Sequence, residues 1–234
     1  IDEEKLVSEV FEVPREAWKK QGVGVLSQMR HCASLRKFQF DIGVDFQGHS
    51  KTAICLKLSG AKQRVAAAAI DPLARALNPL VKVRAKHHVE RNIEVLRSVA
   101  TVDDDLAPLM PKISASPHLE AKVVSIHTGA GAVWKQWPIE RWLEVALALS
   151  QSGEQIVFLG GPSDPKPPEG PWTDMVGKLS LAETLSAVSR SKVHLAADTG
   201  SGHMAAAYQV PVLSIFGRTD PALYRPYANN GVVL

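Results

Sequence analysis

The second half of the chain repeats one local pattern four times: a short apolar run, closed by glycine and small polar residues. The runs are residues 123–126, 156–159, 193–197 and 210–216. Their closing segments begin at His127, Gly160, Asp198 and Gly217. Helical patterns lie between them. Strands that alternate with helices predict an α/β fold on a parallel sheet. In an open parallel sheet, ligands collect beyond the carboxyl ends of the strands. The four polar segments are therefore expected to converge on one rim.

The intervening helices carry their own signals. Pro138 suits a first turn, and Trp142, Val145, Ala146 and Leu149 follow the i, i+3, i+4, i+7 spacing of one helix face. Gly153 is a natural stop. Ser180 with Glu183 reads as a capping box opening a helix with Leu181, Leu185 and Val188 on one side. The proline-rich stretch 162–171 reads as a surface loop. The first half is less regular. Residues 23–40 are basic and amphipathic, 41–46 read as a strand broken by Gln47-Gly48, and 50–58 as a helix. Residues 60–66 read as a turn and strand, and 87–99 as a helix. Asp103, Asp104 and Asp105 with Pro108, Pro111 and Pro117 mark a linker. The expected domains are 1–105, a linker at 106–120, and 121–234.

Composition narrows the class. At 45% hydrophobic and 22% charged residues the chain is ordinary for a globular protein. Its 27 Lys+Arg against 24 Asp+Glu give a net charge of +3, too small to argue for nucleic acid. No apolar run approaches the roughly 20 residues of a membrane-spanning helix. Cys32 and Cys55 make no disulfide framework, so a reducing compartment is expected. The chain opens on Ile1 and stops in an apolar run at Leu234, which suggests that both ends are cut.

The rim residues suit anion binding. Gly129 and Gly131 let a backbone approach a ligand closely, Thr128 offers a hydroxyl and Lys135 a point charge. Thr199, Gly200 and His203 stand at the start of an Ala-rich helical segment, where free N–H groups favour phosphate. Asp198 would repel phosphate and so suits hydroxyls. Each residue alone has a plainer reading: tight packing for the glycines, solvated surface for Lys135, a cap for His203. His127 reads as a satisfied, half-buried histidine, and Trp134, Trp137 and Trp142 as packing residues. The joint placement points to a nucleotide sugar.

Other patterns lead nowhere. Asp198-Thr199-Gly200-Ser201 matches an aspartic-protease signature, but such enzymes need two facing aspartates in an all-β setting. His87, His88 and Glu90 lack ligand spacing on one helix face. Gly129-Ala130-Gly131 falls short of G-x-G-x-x-G, with Trp134 in the third glycine's place.

Three segments together carry a family resemblance: His127-Thr128-Gly129-Ala130 with Lys135-Gln136-Trp137-Pro138, Asp198-Thr199-Gly200-Ser201-Gly202-His203, and Phe216-Gly217-Arg218-Thr219-Asp220-Pro221. They resemble glycosyltransferase family 9, the heptosyltransferases of lipopolysaccharide core assembly. In the first half, residues 45–51 look like the family's D-x-Q-G-x-x-K-S/T segment, and residues 86–91 resemble the stretch before its linker. Residues 15–20 are similar to a basic, Trp-containing stretch of heptosyltransferase I. The resemblance implies a GT-B fold, two Rossmann-like domains with the site in the cleft. It implies an inverting, metal-independent transfer of heptose from ADP-L-glycero-D-manno-heptose to the Kdo-lipid A inner core. Thr128 and Gly129 would line the pyrophosphate, Lys135 would neutralise the leaving phosphate, and Asp198 would hold heptose hydroxyls. Thr199, Gly200 and His203 would complete the phosphate cradle. Lys19, Lys20 and Lys51 would meet the anionic acceptor, with ordinary solvated surface as their plainer reading. No metal and no cofactor is implied. The protein would be a cytoplasmic monomer that does not bind nucleic acid. It would touch the inner face of the inner membrane through the basic stretch 15–37.

The family's general base is an aspartate in a Gly-Asp loop after the first strand. That loop would lie upstream of Ile1, and Asp41 and Asp45 sit on a different strand. Residues 1–234 alone are thus expected to bind donor weakly or not at all and not to turn over. Two alternatives stay open: a non-catalytic nucleotide-sugar-binding fragment, and another Rossmann enzyme such as an epimerase or dehydrogenase. The latter would need a third glycine or a Tyr-x-x-x-Lys pair.

Overall fold

A computed structural model of the chain describes residues 8–11, 23–103, 122–227 and 231–233. The chain divides into two compact units, Leu6–Asp105 and Leu106–Leu234. The linker expected at 106–120 lies outside the described residues.

In the first unit, helix α1 (Val23–Ser34) runs into a 3-10 turn (Leu35–Phe38). Strand β1 (Ile42–Asp45), helix α2 (Ser50–Leu58) and strand β2 (Gln63–Ala66) form a parallel βαβ unit, with Val44 opposite Val65. Helices α3 (Pro72–Leu77) and α4 (His88–Arg97) follow. Val65, Ala67 and Val95 form the buried core there. The break after β1 is built by Asp45, whose Oδ1 accepts from the N–H groups of Gln47 and Gly48, each at 3.0 Å. Its Oδ2 accepts from the Thr52 hydroxyl at 2.9 Å. Gly48 must be glycine: its φ is +72°, and a Cβ would lie 2.4 Å from the Ala68 carbonyl oxygen. Asp71 caps α3 by accepting from Ala74 N–H at 2.8 Å and also takes Ser50 N–H at 2.9 Å, tying the starts of α2 and α3 together.

The second unit holds six strands: β3 (Val124–His127), β4 (Ile156–Leu159), β5 (Thr173–Asp174), β6 (Val193–Ala197), β7 (Val212–Ile215) and β8 (Gly231–Val233). They run parallel in the order β5-β4-β3-β6-β7-β8. That order starts in the middle and winds outward twice, as in a doubly wound sheet. Helix α5 (Ile139–Gln151) covers one face, burying Trp142 and Ala146 against Val124, Ile126, Ile156, Phe158 and Leu195. Helices α6 (Leu181–Ser189) and α7 (Gly200–Ala207) cover the other, with Val188, Ala205 and Ala206 against Val157, Leu159 and Val212. A four-residue helix, α8 (Pro221–Tyr224), is capped by Asp220, which accepts from Ala222 N–H at 2.9 Å.

The alternation in the sequence thus becomes a parallel α/β sheet, with small shifts. The first strand begins at Val124 and takes in His127. Pro138 stands before the first turn of α5, not inside it. The Ser180–Glu183 capping box is present with both reciprocal bonds. The short elements α3, β5 and α8, and a 3-10 turn at Val133–Lys135, have no periodic signal to announce them. His87 is the buried N-cap of α4, its Nδ1 accepting from Val89 N–H at 3.3 Å, while Val89 and Glu90 in the first turn are exposed.

Candidate functional site

The strand order reverses between β3 and β6, the point where such a sheet opens a crevice. Lys135 and Asp198 lie across that point. The 3-10 turn at Val133–Lys135 ends the loop after β3 and lifts Lys135 toward β6. Its Nζ stands 2.6 Å from Asp198 Oδ2. Asp198 is only 9% exposed at its side chain, and Lys135 25%. The Lys135 ammonium also lies 5.3 Å from the centre of the Trp134 ring, a cation–π distance.

Helix α7 begins two residues after Asp198. Thr199 stands at its N-cap in extended conformation without a side-chain cap bond. Among the described residues, the Gly200 and Ser201 N–H groups have no acceptor, while Gly202 N–H turns back to the Thr199 carbonyl at 3.2 Å. A Cβ built on Gly200 or Gly131 would meet nothing within 4 Å, so both backbones border open space. Uncapped N–H groups and the helix dipole favour an anion there. His203 is exposed on the same first turn.

Gly129 and Thr128 take other parts. A Cβ on Gly129 would lie 2.0 Å from the Asp164 carboxyl carbon. What Gly129 admits here is thus the Asp164 carboxylate rather than an approaching ligand. Asp164 Oδ2 accepts from Gly161 N–H at 2.7 Å and stands 3.4 Å from His127 Nε2. Burial holds the His127 imidazole below its ordinary pKa, and Asp164 pulls it partly back. Thr128 is fully buried, its hydroxyl donating to the Pro165 carbonyl at 2.7 Å, so that proton is already committed.

All four strand-end segments meet in this way. Asp164 after β4 sits against Gly129 and His127 after β3. Lys135 reaches Asp198 after β6, and the Trp134 carbonyl is 3.9 Å from the Cβ position of Gly217 after β7. Trp137 and Trp142 are packing residues, edge to face at 4.7 Å, whereas Trp134 is 53% exposed. Lys51 is exposed on the first turn of α2 in the other unit; Lys19 and Lys20 lie outside the described residues. Sequence reasoning passed over Asp164 and His194. Asp164 had only its place after a strand to mark it. A lone histidine inside the apolar run of β6 was the available sign for His194.

The sheet order and its crevice define a doubly wound α/β protein. Residues 28–234 match the model of glycosyltransferase family 9 (heptosyltransferase), and the chain belongs to that family. Lipopolysaccharide heptosyltransferase 1 of Pseudomonas aeruginosa is 28% identical over an alignment covering 97% of this chain and 69% of that protein. Lipopolysaccharide heptosyltransferase 3 of Escherichia coli K12 is 27% identical over 67% of this chain and 51% of its own length. The chain thus spans about half the length of that relative. Among solved structures, Escherichia coli heptosyltransferase WaaC with ADP superposes with a TM-score of 0.73 at 21% identity, covering 96% of this chain and 76% of that one. The glycosyltransferase family 9 structure from Veillonella parvula gives 0.70 at 19% identity, over 92% and 69%. The fold is α/β of the GT-B class, as expected. Among the described residues, no helix is long and apolar enough to cross a membrane.

Proposed function

We propose that the chain belongs to a lipopolysaccharide heptosyltransferase, and that its second unit binds the nucleotide-sugar donor, ADP-L-glycero-D-manno-heptose. The observation that carries this reading is the Lys135–Asp198 pair at 2.6 Å across the strand-order reversal, beside the uncapped start of α7. The pair couples a cation suited to phosphate with a carboxylate suited to sugar hydroxyls. Two similar structures support the donor class by their ligands, ADP in one and ADP-2-deoxy-2-fluoro heptose in the other.

In the proposed reaction an acceptor hydroxyl oxygen attacks the anomeric carbon from the face opposite the leaving group. The bond from that carbon to the β-phosphate oxygen breaks, and ADP departs with the electron pair. Charge grows on the phosphate as it leaves. Lys135 and the N–H groups of Gly200 and Ser201 meet that charge in place of a metal ion. Thr199 and His203 border the same turn, and Gly129 and Thr128 shape the wall behind it. Asp198 holds heptose hydroxyls once Lys135 turns to phosphate. The acceptor hydroxyl's proton goes to a carboxylate base outside the described residues. The acceptor is the Kdo-lipid A inner core, met by Lys51 with Lys19 and Lys20 from the cytoplasmic side, with the basic stretch 15–37 against anionic lipid.

Isothermal titration of the full-length gene product with ADP, ADP-heptose and NAD tests the donor assignment. ADP and ADP-heptose bind and NAD does not. Lys135→Ala weakens ADP by at least about tenfold, or about 1.4 kcal/mol. NAD binding in preference to ADP, or an unchanged ADP affinity in Lys135→Ala, would overturn the reading.

A further inference from the structure

The two faces of the second unit's sheet differ in chemistry. Toward α5, strands β3, β6 and β7 present Val124, Ile126, Leu195 and Leu213, all hydrocarbon. Toward α6 and α7, the same strands present Ser125, His127, His194 and Ser214 beside Ala196 and Val212, because successive side chains alternate between faces. Ser125, His194 and Ser214 are all buried. Polar groups inside a helix–sheet layer contribute little net stability, since well-shaped apolar replacements are nearly neutral or better. Their placement suggests another use.

His194 is the centre of this row. Its Nδ1 lies 2.7 Å from the Ser125 hydroxyl, directly across the β3–β6 register, and its Nε2 lies 3.0 Å from the Ser201 hydroxyl. Ser125 continues at 2.8 Å to Ser191, which reaches the Ala187 carbonyl at 2.8 Å in the last turn of α6. The ring is fully buried, so burial, with His127 nearby, keeps it neutral. A neutral ring donates from one nitrogen and accepts at the other, which satisfies both serines. The chain of bonds thus begins in α6, crosses β3 and β6, and ends in the first turn of α7. Ser201 is the residue whose N–H stands open beside Gly200. Next to it, Gly202 brings α7 close to β7: a Cβ there would lie 3.4 Å from the buried Ser214 hydroxyl.

We propose that His194 is a positioning residue for the donor site: through Ser201 it fixes the first turn of α7, and so the direction of the N–H groups that meet the donor phosphate. The proposal rests on the donor assignment above for its ligand, but not for its geometry. Gln and Asn separate the two ends of the ring. A Gln amide reaches about as far as Nε2 and keeps the Ser201 bond. An Asn amide reaches only as far as Nδ1 and keeps the Ser125 bond.

The test uses His194→Leu, His194→Gln, His194→Asn and Ser201→Ala in the full-length gene product, with Val188→Ala as a core control outside the chain of bonds. Two readouts are taken: ADP affinity by calorimetry, and amide hydrogen exchange of the segment 198–207 without ligand. His194→Leu, His194→Asn and Ser201→Ala bind ADP at least tenfold more weakly, and their 198–207 amides exchange at least tenfold faster. His194→Gln stays within threefold of the parent on both. Val188→Ala lowers the urea midpoint without moving either. Equal behaviour of Gln and Asn would overturn the proposal. So would exchange in 198–207 that merely follows the urea midpoint across all five variants. If the parent protein binds no ADP, the donor assignment fails, and the exchange pattern alone still decides whether His194 positions the turn.

Discussion

Asp198 is nearly buried beside an ammonium, and each charge makes the other tolerable. Removing Lys135 therefore does more than delete a cation: it leaves a carboxylate at the mouth of the site without its counter-charge. That charge would repel the phosphate of the proposed donor. The same scale holds a contrast between the two thiols. Cys32 on α1 is buried, and burial, reinforced by a hydrogen bond with Cys55 on α2, pushes its pKa up to about 12. Only the thiolate reacts. Iodoacetamide at pH 8 should modify Cys55, which is half-buried, and spare Cys32 until the protein is unfolded; peptide mass spectrometry reads the difference. Labelling of native Cys32 as fast as a free thiol would contradict the burial argument.

Among the elements, α6 shows how local signals fix an end. Ser180 Oγ accepts from Glu183 N–H at 3.3 Å, and Glu183 Oε2 accepts from Ser180 N–H at 2.8 Å. Loss of such a cap costs about 1 kcal/mol. Ser180→Ala should lower stability by that amount in urea titration. Helix α7 is the opposite case. Its Thr199 side chain leaves the first turn uncapped, and the cost of open N–H groups is met only when something anionic arrives. One helix is closed by its own side chains, and the other begins without a side-chain cap.

At the scale of the molecule, the buried polar row makes stability depend on pH. His194 has a folded pKa of about 3 against an ordinary 6.5. Below pH 6.5 the unfolded chain binds a proton that the folded protein refuses, so stability is full above 6.5 and falls toward pH 3. His127, also held low, acts in the same direction. One such proton costs up to about 1.4 kcal/mol per pH unit. Urea midpoints between pH 7 and 5, above the usual carboxylate range, should fall for the parent and fall less for His194→Gln. A flat parent profile would mean that the imidazole is not held neutral.

Much of this was written locally. The four strands, the capping box, the stop at Gly153 (φ +88°) and the break at Gly48 follow from the spacing of apolar residues and from positions that need glycine or a short oxygen-bearing side chain. Family membership was legible for the same reason, since its motifs are the strand ends themselves. Periodicity could not announce α3, β5 or α8, which are too short to show a period. Nor could it say what touches what. Lys135 and Asp198 stand 63 positions apart, Gly129 and Asp164 thirty-five, and Ser125 and His194 sixty-nine; only the strand order brings each pair together. The sequence by itself determined which residues end each strand, because backbone preference and side-chain pattern act over a few residues. The tertiary structure alone decided that Gly129 faces a carboxylate, that the Thr128 hydroxyl is already bonded, and that a histidine inside an apolar strand bonds a serine in the first turn of a helix, because those depend on contacts across the sheet.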